Sequence, residues 1–201
     1  MAHLLAKSAE ANLLVNQSTP IFIADAMLGS VARKLRIFGF DTLYNVDIND
    51  NEILKIAIDQ NRVVLTCDKD LFKRVMKVGA KGVLLNCYDD LEDVVHTLSK
   101  CGIFSLYYDV NNSRCSFCNG SLLKKKRIHI KGSVPYQVLK RHRDFFQCEL
   151  CNKIYWKGTH FASLRNLAKK INIQCKKLLT ESESMFSSSH GYKLEYSCKH
   201  C

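Results

Sequence analysis

The feature that most constrains the fold is an alternation of short apolar runs with helical patterns between residues 20 and 101. The apolar runs lie at residues 21–24, 42–46, 62–66 and 82–85. The segments that follow them carry apolar residues at intervals of three and four, which is typical of helices; they cover residues 26–38, 50–58, 68–78 and 89–101. Short continuous apolar strands are buried on both faces, which predicts a three-layer α/β fold with a parallel sheet.

Charge divides the chain into two parts. Residues 1–110 contain 12 Lys and Arg against 14 Asp and Glu, whereas residues 111–201 contain 18 against 5. A strongly basic part indicates an anionic partner such as nucleic acid. We therefore expect a sheet domain over residues 20–110 and a small basic unit over residues 111–173 that includes a helix at 161–173. Flanking these, we expect an N-terminal extension at 1–19 and a Ser-rich, disordered tail at 174–201.

No segment reaches the roughly 20 uncharged residues that a membrane-spanning helix needs. The first residues are also too weakly apolar for a signal peptide and too poor in Arg for a transit peptide. The sequence thus predicts a soluble intracellular protein, cytoplasmic or nuclear, without a membrane partner. The oligomeric state stays open.

Aspartates follow the ends of all four predicted strands. They are Asp25, then Asp47 and Asp50, then Asp68 and Asp70, then Asp89 and Asp90. The carboxyl ends of parallel strands meet at one edge of the sheet, where ligands bind in such folds. Oxygen ligands suit Mg²⁺ or Mn²⁺, and a site with these ions can activate water for in-line attack on a phosphodiester.

Helix capping is the alternative explanation for these acids, and Asp50, Asp68 and Asp89 all fit an N-cap position. We favour a functional site for the set as a whole. Asp25 has no ordinary structural role directly after its apolar run. Asp68 and Asp70 lie only two residues apart, and a helix cap needs only one of them. There is no Gly-rich phosphate loop and no nucleophile elbow in the sequence.

Two residues close to the predicted strands are expected to be structural. Asp41 opens the second strand at the opposite edge of the sheet, where it would pair with Arg33 or Arg36. Cys67 lies among carboxylates that raise a thiol pKa and make it less reactive, so we interpret it as a packing residue.

Two Cys-x-x-Cys pairs, 29 residues apart, indicate a structural zinc site with four thiolate ligands. The ligands are Cys115, Cys118, Cys148 and Cys151. Asn119 and Asn152 follow the pairs and tolerate the left-handed turn that closes such a knuckle. A third pair, Cys198 and Cys201, has no partner pair.

Basic residues between the two cysteine pairs predict contacts with nucleic-acid phosphates. We assign this role to Lys124, Lys125, Lys126, Arg127, Lys140, Arg141 and Arg143. The alternative is a solvated, charged hairpin. Nearby aromatic residues are expected to fill the small core of this unit.

Four blocks of the sequence resemble the mut-7 C-terminal RNase domain family, which is regarded as a PIN-like nuclease domain followed by a zinc ribbon. The blocks are DAMLGSVARKLRIFGFD at 25–41, LTCDKDL at 65–71, SRCSFCNG at 113–120 and CELCNKIYWKGTH at 148–160. They occur in the family's order, and the likeness covers about residues 21–170. One departure is Lys34, where relatives tend to carry an aromatic residue.

The resemblance implies a metal-dependent ribonuclease whose substrate is RNA, which we expect to be single-stranded. By position, Asp25, Asp50, Asp68 and Asp70 match the catalytic acids, and Asp25 and Asp68 match best as Mg²⁺ or Mn²⁺ ligands. Asp47 competes with Asp50 for its place. The alternative is a nucleic-acid-binding or adaptor module that does not cut. RNA versus DNA and endo- versus exonucleolytic cleavage stay open.

Overall fold

The structure is a computed structural model that describes residues 19–158 and 160–188. Its first part alternates strands and helices. The elements are β1 (Phe22–Ala24), a 3-10 turn (Ala26–Leu28), α1 (Gly29–Ile37), β2 (Thr42–Tyr44), α2 (Asp50–Gln60), β3 (Val63–Thr66), α3 (Lys69–Lys77), β4 (Gly82–Leu84) and α4 (Asp90–Lys100). The alternation expected from the sequence is therefore confirmed.

The four strands form one parallel sheet in the order β2-β1-β3-β4. Successive side chains of a strand point to opposite faces, and both faces of the central strands are buried. Phe22 and Leu65 pack with α1 and α4 on one face, and Ile23 and Val64 pack with α2 and α3 on the other. The three-layer α/β prediction is confirmed.

The second part is a small antiparallel unit. It contains β5 (Leu122–Lys125), a 3-10 turn (Arg127–Ile130), α5 (Tyr136–Arg141), β6 (Phe145–Cys148) and β7 (Ile154–Trp156), and the strand order is β5-β6-β7. Its own core is built on Ile130, Leu139 and Phe145. This three-stranded unit carries the four cysteines and is called the ribbon below.

The last helix, α6 (His160–Ser188), differs from the sequence prediction in length and in packing. It continues well beyond residue 173, so residues 174–188 are helical and not a disordered tail. Its apolar stripe, which includes Ala168, Ile171 and Cys175, joins the core beside α1 and α4. By packing, this helix completes the α/β part and does not extend the ribbon.

The predicted N-terminal extension and the third cysteine pair, Cys198 and Cys201, lie outside the described residues. Among the residues that are described, no helix is long and apolar enough to span a membrane.

Candidate functional site

Asp25 and Asp68 follow the two central strands and are connected through Thr66. The Thr66 hydroxyl donates to Asp25 Oδ2 over 2.8 Å and accepts from the main-chain N–H of Asp68 over 3.0 Å. Thr66 is buried at the end of β3, whereas Asp25 is half-buried and Asp68 is exposed. The sheet thus presents these two carboxylates side by side at its carboxyl edge, called the acidic edge below.

Both acids also cap the helical turns that follow them. Asp25 Oδ1 accepts from the N–H of Ala26 at 2.6 Å, so this residue does have an ordinary structural role, contrary to our expectation. Asp68 Oδ1 accepts from the N–H groups of Asp70 and Leu71. In the described part of the chain, Oδ2 of Asp68 has no hydrogen-bond donor and is available to a ligand.

Asp50 and Asp70 are engaged in ion pairs. Asp50 lies 2.8 Å from Arg74, and Asp70 lies 2.9 Å from Lys73. The hydrogen bond from Lys73 and its charge lower the pKa of Asp70. The N-cap of α2 is Asn49 and not Asp50, because Asn49 and Glu52 form a capping box. Asp89 caps α4, as the capping alternative predicted.

Asp90 is an acid that the sequence placed at this edge but did not single out. Its carboxylate accepts hydrogen bonds from Ser30 and from Lys34, and Lys34 lies 2.8 Å away. These bonds lower the pKa of Asp90. Its position shortly after the fourth strand is the sequence feature that could have identified it. Its partner Lys34 is the residue at which this chain departs from the family pattern.

The acidic edge is not a closed metal cage. Within residues 19–158 and 160–188, the four cysteines are the only group that brings three or more ligand atoms within 4.8 Å of one another. Mg²⁺ keeps several water ligands and is commonly held by one or two carboxylates together with substrate phosphates. Asp25 and Asp68 fit an ion bound in this way.

The four cysteines converge as predicted. Sγ of Cys118 lies 3.3 Å from Sγ of Cys148, and Sγ of Cys115 lies 3.6 Å from Sγ of Cys151. A tetrahedral zinc ion with Zn–S bonds of about 2.3 Å places its sulfur atoms about 3.8 Å apart, so the cluster fits this ion. Asn119 and Asn152 have φ of 69° and 59°, the left-handed turns that the sequence predicted.

Two thiols of this cluster, those of Cys115 and Cys118, have pKa values shifted in opposite directions. Burial raises the pKa of Cys115, but hydrogen bonds from Tyr155 and from the N–H groups of Cys118 and Phe117 outweigh it and lower the pKa to about 6. Burial raises the pKa of Cys118 to about 12. The thiolate of Cys115 is thus stabilised within the cluster, and the Tyr155 hydroxyl lies 3.0 Å from its sulfur. A bound metal ion would supply the positive charge that the other three thiolates need.

The knuckle that carries Cys115 and Cys118 packs against the amino-terminal edge of the sheet, opposite the acids. Asp41 lies there in an ion pair of 2.6 Å with Arg62 and a second of 3.4 Å with Arg114. The prediction that Asp41 pairs with Arg33 or Arg36 is therefore wrong, although the predicted structural role of Asp41 is confirmed. Asn119 of the knuckle donates to the same carboxylate over 2.9 Å.

The basic residues of the ribbon are mostly exposed, but two of them have internal partners. Lys124 lies 2.9 Å from Asp144, and Arg127 donates to the main-chain carbonyl of Leu139. Lys126, Lys140, Arg141 and Arg143 are exposed, Lys125 is half-buried, and none of these five forms an ion pair with another described residue.

Cys67 is not a simple packing residue. It is joined by a disulfide to Cys87, with a Cα–Cα distance of 6.1 Å. Cys67 follows β3 and Cys87 follows β4, so the bond ties together two loops of the acidic edge. Sequence reasoning missed this pair because the partners are far apart in the chain and meet only through the pairing of β3 with β4.

The fold and the site define an α/β parallel-sheet protein with a carboxylate-lined edge and an attached four-cysteine ribbon. The family model of the Mut7-C RNAse domain matches residues 20–168. The chain belongs to this family, which confirms the resemblance seen in its motifs and indicates a nuclease-like role on nucleic acid. No curated protein and no solved structure matches the chain significantly.

Proposed function

We propose that the chain is a metal-dependent ribonuclease that hydrolyses RNA phosphodiester bonds at the acidic edge. The observation that carries the proposal is the pairing of Asp25 and Asp68 through Thr66 in a member of an RNAse domain family. Asp25 and Asp68 would hold Mg²⁺ or Mn²⁺, and the bound ion would supply the positive charge that favours attack by water and stabilises the transition state.

Within this proposal the other acids have distinct roles. Asp50 and Asp70 complete the catalytic acids, and each of them is held in place by an ion pair, with Arg74 and Lys73 respectively. Asp90 holds the start of α1 through Ser30 and Lys34, close to the turn that Asp25 caps. The zinc ion proposed for the four cysteines is structural, because four thiolates leave no open coordination position.

The basic residues of the ribbon are proposed to bind the RNA strand, which we take to be single-stranded. The aspartates of the acidic edge repel phosphate unless a metal ion is bound, so the affinity for RNA has to come from elsewhere on the molecule. The exposed side chains that form no ion pair with another described residue, such as Lys126, Lys140 and Arg141, are best placed to supply it.

The test is cleavage of end-labelled single-stranded RNA with Mn²⁺, Mg²⁺ or EDTA. We expect cleavage with the metals, none with EDTA, and a loss of at least a hundredfold in Asp25→Asn and Asp68→Asn, on the order of what metal activation contributes. Asp59→Asn is the matched control, since Asp59 is an exposed acid at the far end of α2. Cleavage that survives EDTA or both substitutions would overturn the proposal.

A non-catalytic nucleic-acid-binding or adaptor module is the second candidate. It is favoured by the fact that no three described carboxylates lie within 4.8 Å of one another. This candidate predicts RNA binding of unchanged strength in Asp25→Asn, with no cleavage under any metal condition.

A further inference from the structure

The loop between β4 and α4 holds its backbone in an uncommon conformation. Cys87 has φ of 58°, the left-handed region that non-glycine residues rarely adopt. Such a conformation persists only where surrounding contacts enforce it, and it is most often found at functional sites and ligand clamps.

Two contacts enforce the conformation of this loop. Asp93 is 3% exposed, and its Oδ1 accepts from the N–H groups of Asn86 and Cys87 over 3.1 and 3.4 Å. The disulfide to Cys67 fixes the same residue from the side of β3. The loop is thus tied to the first turn of α4 and to the loop that carries Asp68.

Tyr88 directly follows Cys87, the residue that these two contacts fix. Its side chain is 94% exposed, the highest value among the exposed large apolar residues of the described chain. It lies two residues before Asp90, whose carboxylate binds Ser30 and Lys34 at the start of α1. A large aromatic side chain is therefore held in solvent on the loop that borders the proposed catalytic acids.

Charge at this edge favours a contact of this type. In the loops and first helical turns that form the acidic edge, aspartates and glutamates outnumber the cation Lys69. The nearby cations Lys34, Lys73 and Arg74 are already in ion pairs with aspartates of this edge. Phosphate groups gain little there, but the face of a nucleobase carries no net charge and stacks on an aromatic ring regardless of its sequence.

We propose that Tyr88 is a stacking residue that receives an unpaired base of the RNA strand entering the acidic edge. The inference rests on the proposed function and deepens it. Inside a duplex the faces of the bases are covered by the neighbouring base pairs of the stack, so this contact selects single-stranded RNA at the site of cleavage and positions the strand beside Asp25 and Asp68.

Equilibrium binding separates stacking from phosphate contacts. Affinity for a labelled single-stranded RNA decamer is measured by fluorescence anisotropy over a range of salt, with Asp25→Asn in every protein to prevent cleavage. Tyr88→Ala should bind about tenfold more weakly at every salt concentration, with an unchanged salt slope, since stacking releases no counterions. Tyr88→Phe should retain the affinity because it keeps the ring.

Tyr107→Ala is the matched control. Tyr107 is a tyrosine that is 77% exposed, and its neighbour Tyr108 packs against Phe38 just after the end of α1, away from the acids. An abasic residue is then moved along the RNA one position at a time. At one position the abasic residue should weaken RNA binding about tenfold in the protein that carries only Asp25→Asn, because the base that stacks on Tyr88 is missing. At the same position it should leave the affinity of Tyr88→Ala unchanged, because the ring that would receive this base is already absent.

Equal affinities of Tyr88→Ala and Tyr107→Ala would overturn the inference, as would a Tyr88→Ala defect that is the same at every abasic position. Neither result depends on catalysis. If the Tyr88 effect on binding is seen but the wild-type chain, which keeps Asp25, shows no cleavage with Mg²⁺ or Mn²⁺, the proposed ribonuclease activity would be contradicted and the base contact would stand.

Discussion

The guanidinium of Arg36 donates a hydrogen bond to the main-chain carbonyl of Phe117 over 3.0 Å, and so joins helix α1 to the knuckle that carries Cys115 and Cys118. The same side chain, in a residue that is 3% exposed, also reaches the carbonyls of Ser116 and Thr42. The ribbon is therefore fastened to the sheet at the edge opposite the acids, and the two proposed activities, cutting and holding RNA, originate from opposite ends of the sheet.

Replacing Arg36 should weaken the whole chain. Arg36→Met leaves the carbonyls of Thr42, Ser116 and Phe117 without their donor, and the free energy of unfolding should fall by about 2–3 kcal/mol. Chemical denaturation checks this. Arg33→Met is the control from the exposed side of the same helix and should change stability by less than about 0.5 kcal/mol; equal effects would contradict the assigned role of Arg36.

Asp41 should make stability depend on pH. Burial raises the pKa of Asp41, but hydrogen bonds from Arg62 and Asn119 and the charge of Arg114 outweigh burial and hold the pKa below its ordinary value of 3.8. The stabilisation is therefore complete above that value and is lost as the pH falls through the lower pKa of the folded state. The wild type should be more stable than Asp41→Asn at pH 7, and the difference should shrink below about pH 4. If the difference in stability between the wild type and Asp41→Asn stays constant down to about pH 2, the charge of Asp41 does not contribute to stability.

The Thr66 hydroxyl should matter for cleavage, because it fixes both Asp25 and the backbone of Asp68. Thr66→Val keeps the shape and removes the hydroxyl. We expect the metal concentration needed for half-maximal cleavage to rise about tenfold, the usual effect of losing a group that orients a metal ligand. Thr66→Ser should restore cleavage. If Thr66→Val titrates with Mn²⁺ like the wild type, the hydroxyl does not position the acids.

The cysteine cluster should hold one zinc ion per chain. Native mass spectrometry of the purified protein measures this directly, and Cys115→Ser or Cys148→Ser should lose the ion and the structure of the ribbon. Cys101→Ser, a partly buried cysteine outside the cluster, should retain it. Zinc that remains bound in both ribbon variants would remove these residues as ligands.

The basic residues of the ribbon should determine the salt dependence of RNA binding. Each phosphate contact with a single strand contributes a slope of about −0.7 in a plot of log affinity against log salt. Replacing Lys126, Lys140 and Arg141 together with Ser should flatten the slope by about 2 units. The control replaces Lys55, Lys77 and Lys81, which are exposed on the α/β part. Identical slopes for the two triple variants would favour the solvated-hairpin interpretation.

Local pattern was sufficient for the strands and helices of the sheet and for the convergence of the four cysteines. Four apolar runs separated by helical patterns determine a parallel α/β sheet, because only such a sheet buries both faces of every central strand. The Cys-x-x-Cys spacing determines the knuckles, since a two-residue spacer brings both thiolates to one ion whatever surrounds them. Asn119 and Asn152 were identified in the same way, from the tolerance of asparagine for left-handed backbone.

Relationships between distant residues were decided by the tertiary structure alone. Strand pairing brings Cys67 to Cys87 and Asp41 to Arg62, and no local rule specifies which of several arginines or cysteines will be the neighbour. The helix after the ribbon has an apolar stripe that predicts burial, but only the packed chain shows that α4 provides the surface against which it packs. The sequence determined which chemical groups this protein has, whereas the packing of strands and helices decided which of them meet, because contact across the sheet depends on register and crossover and not on spacing along the chain.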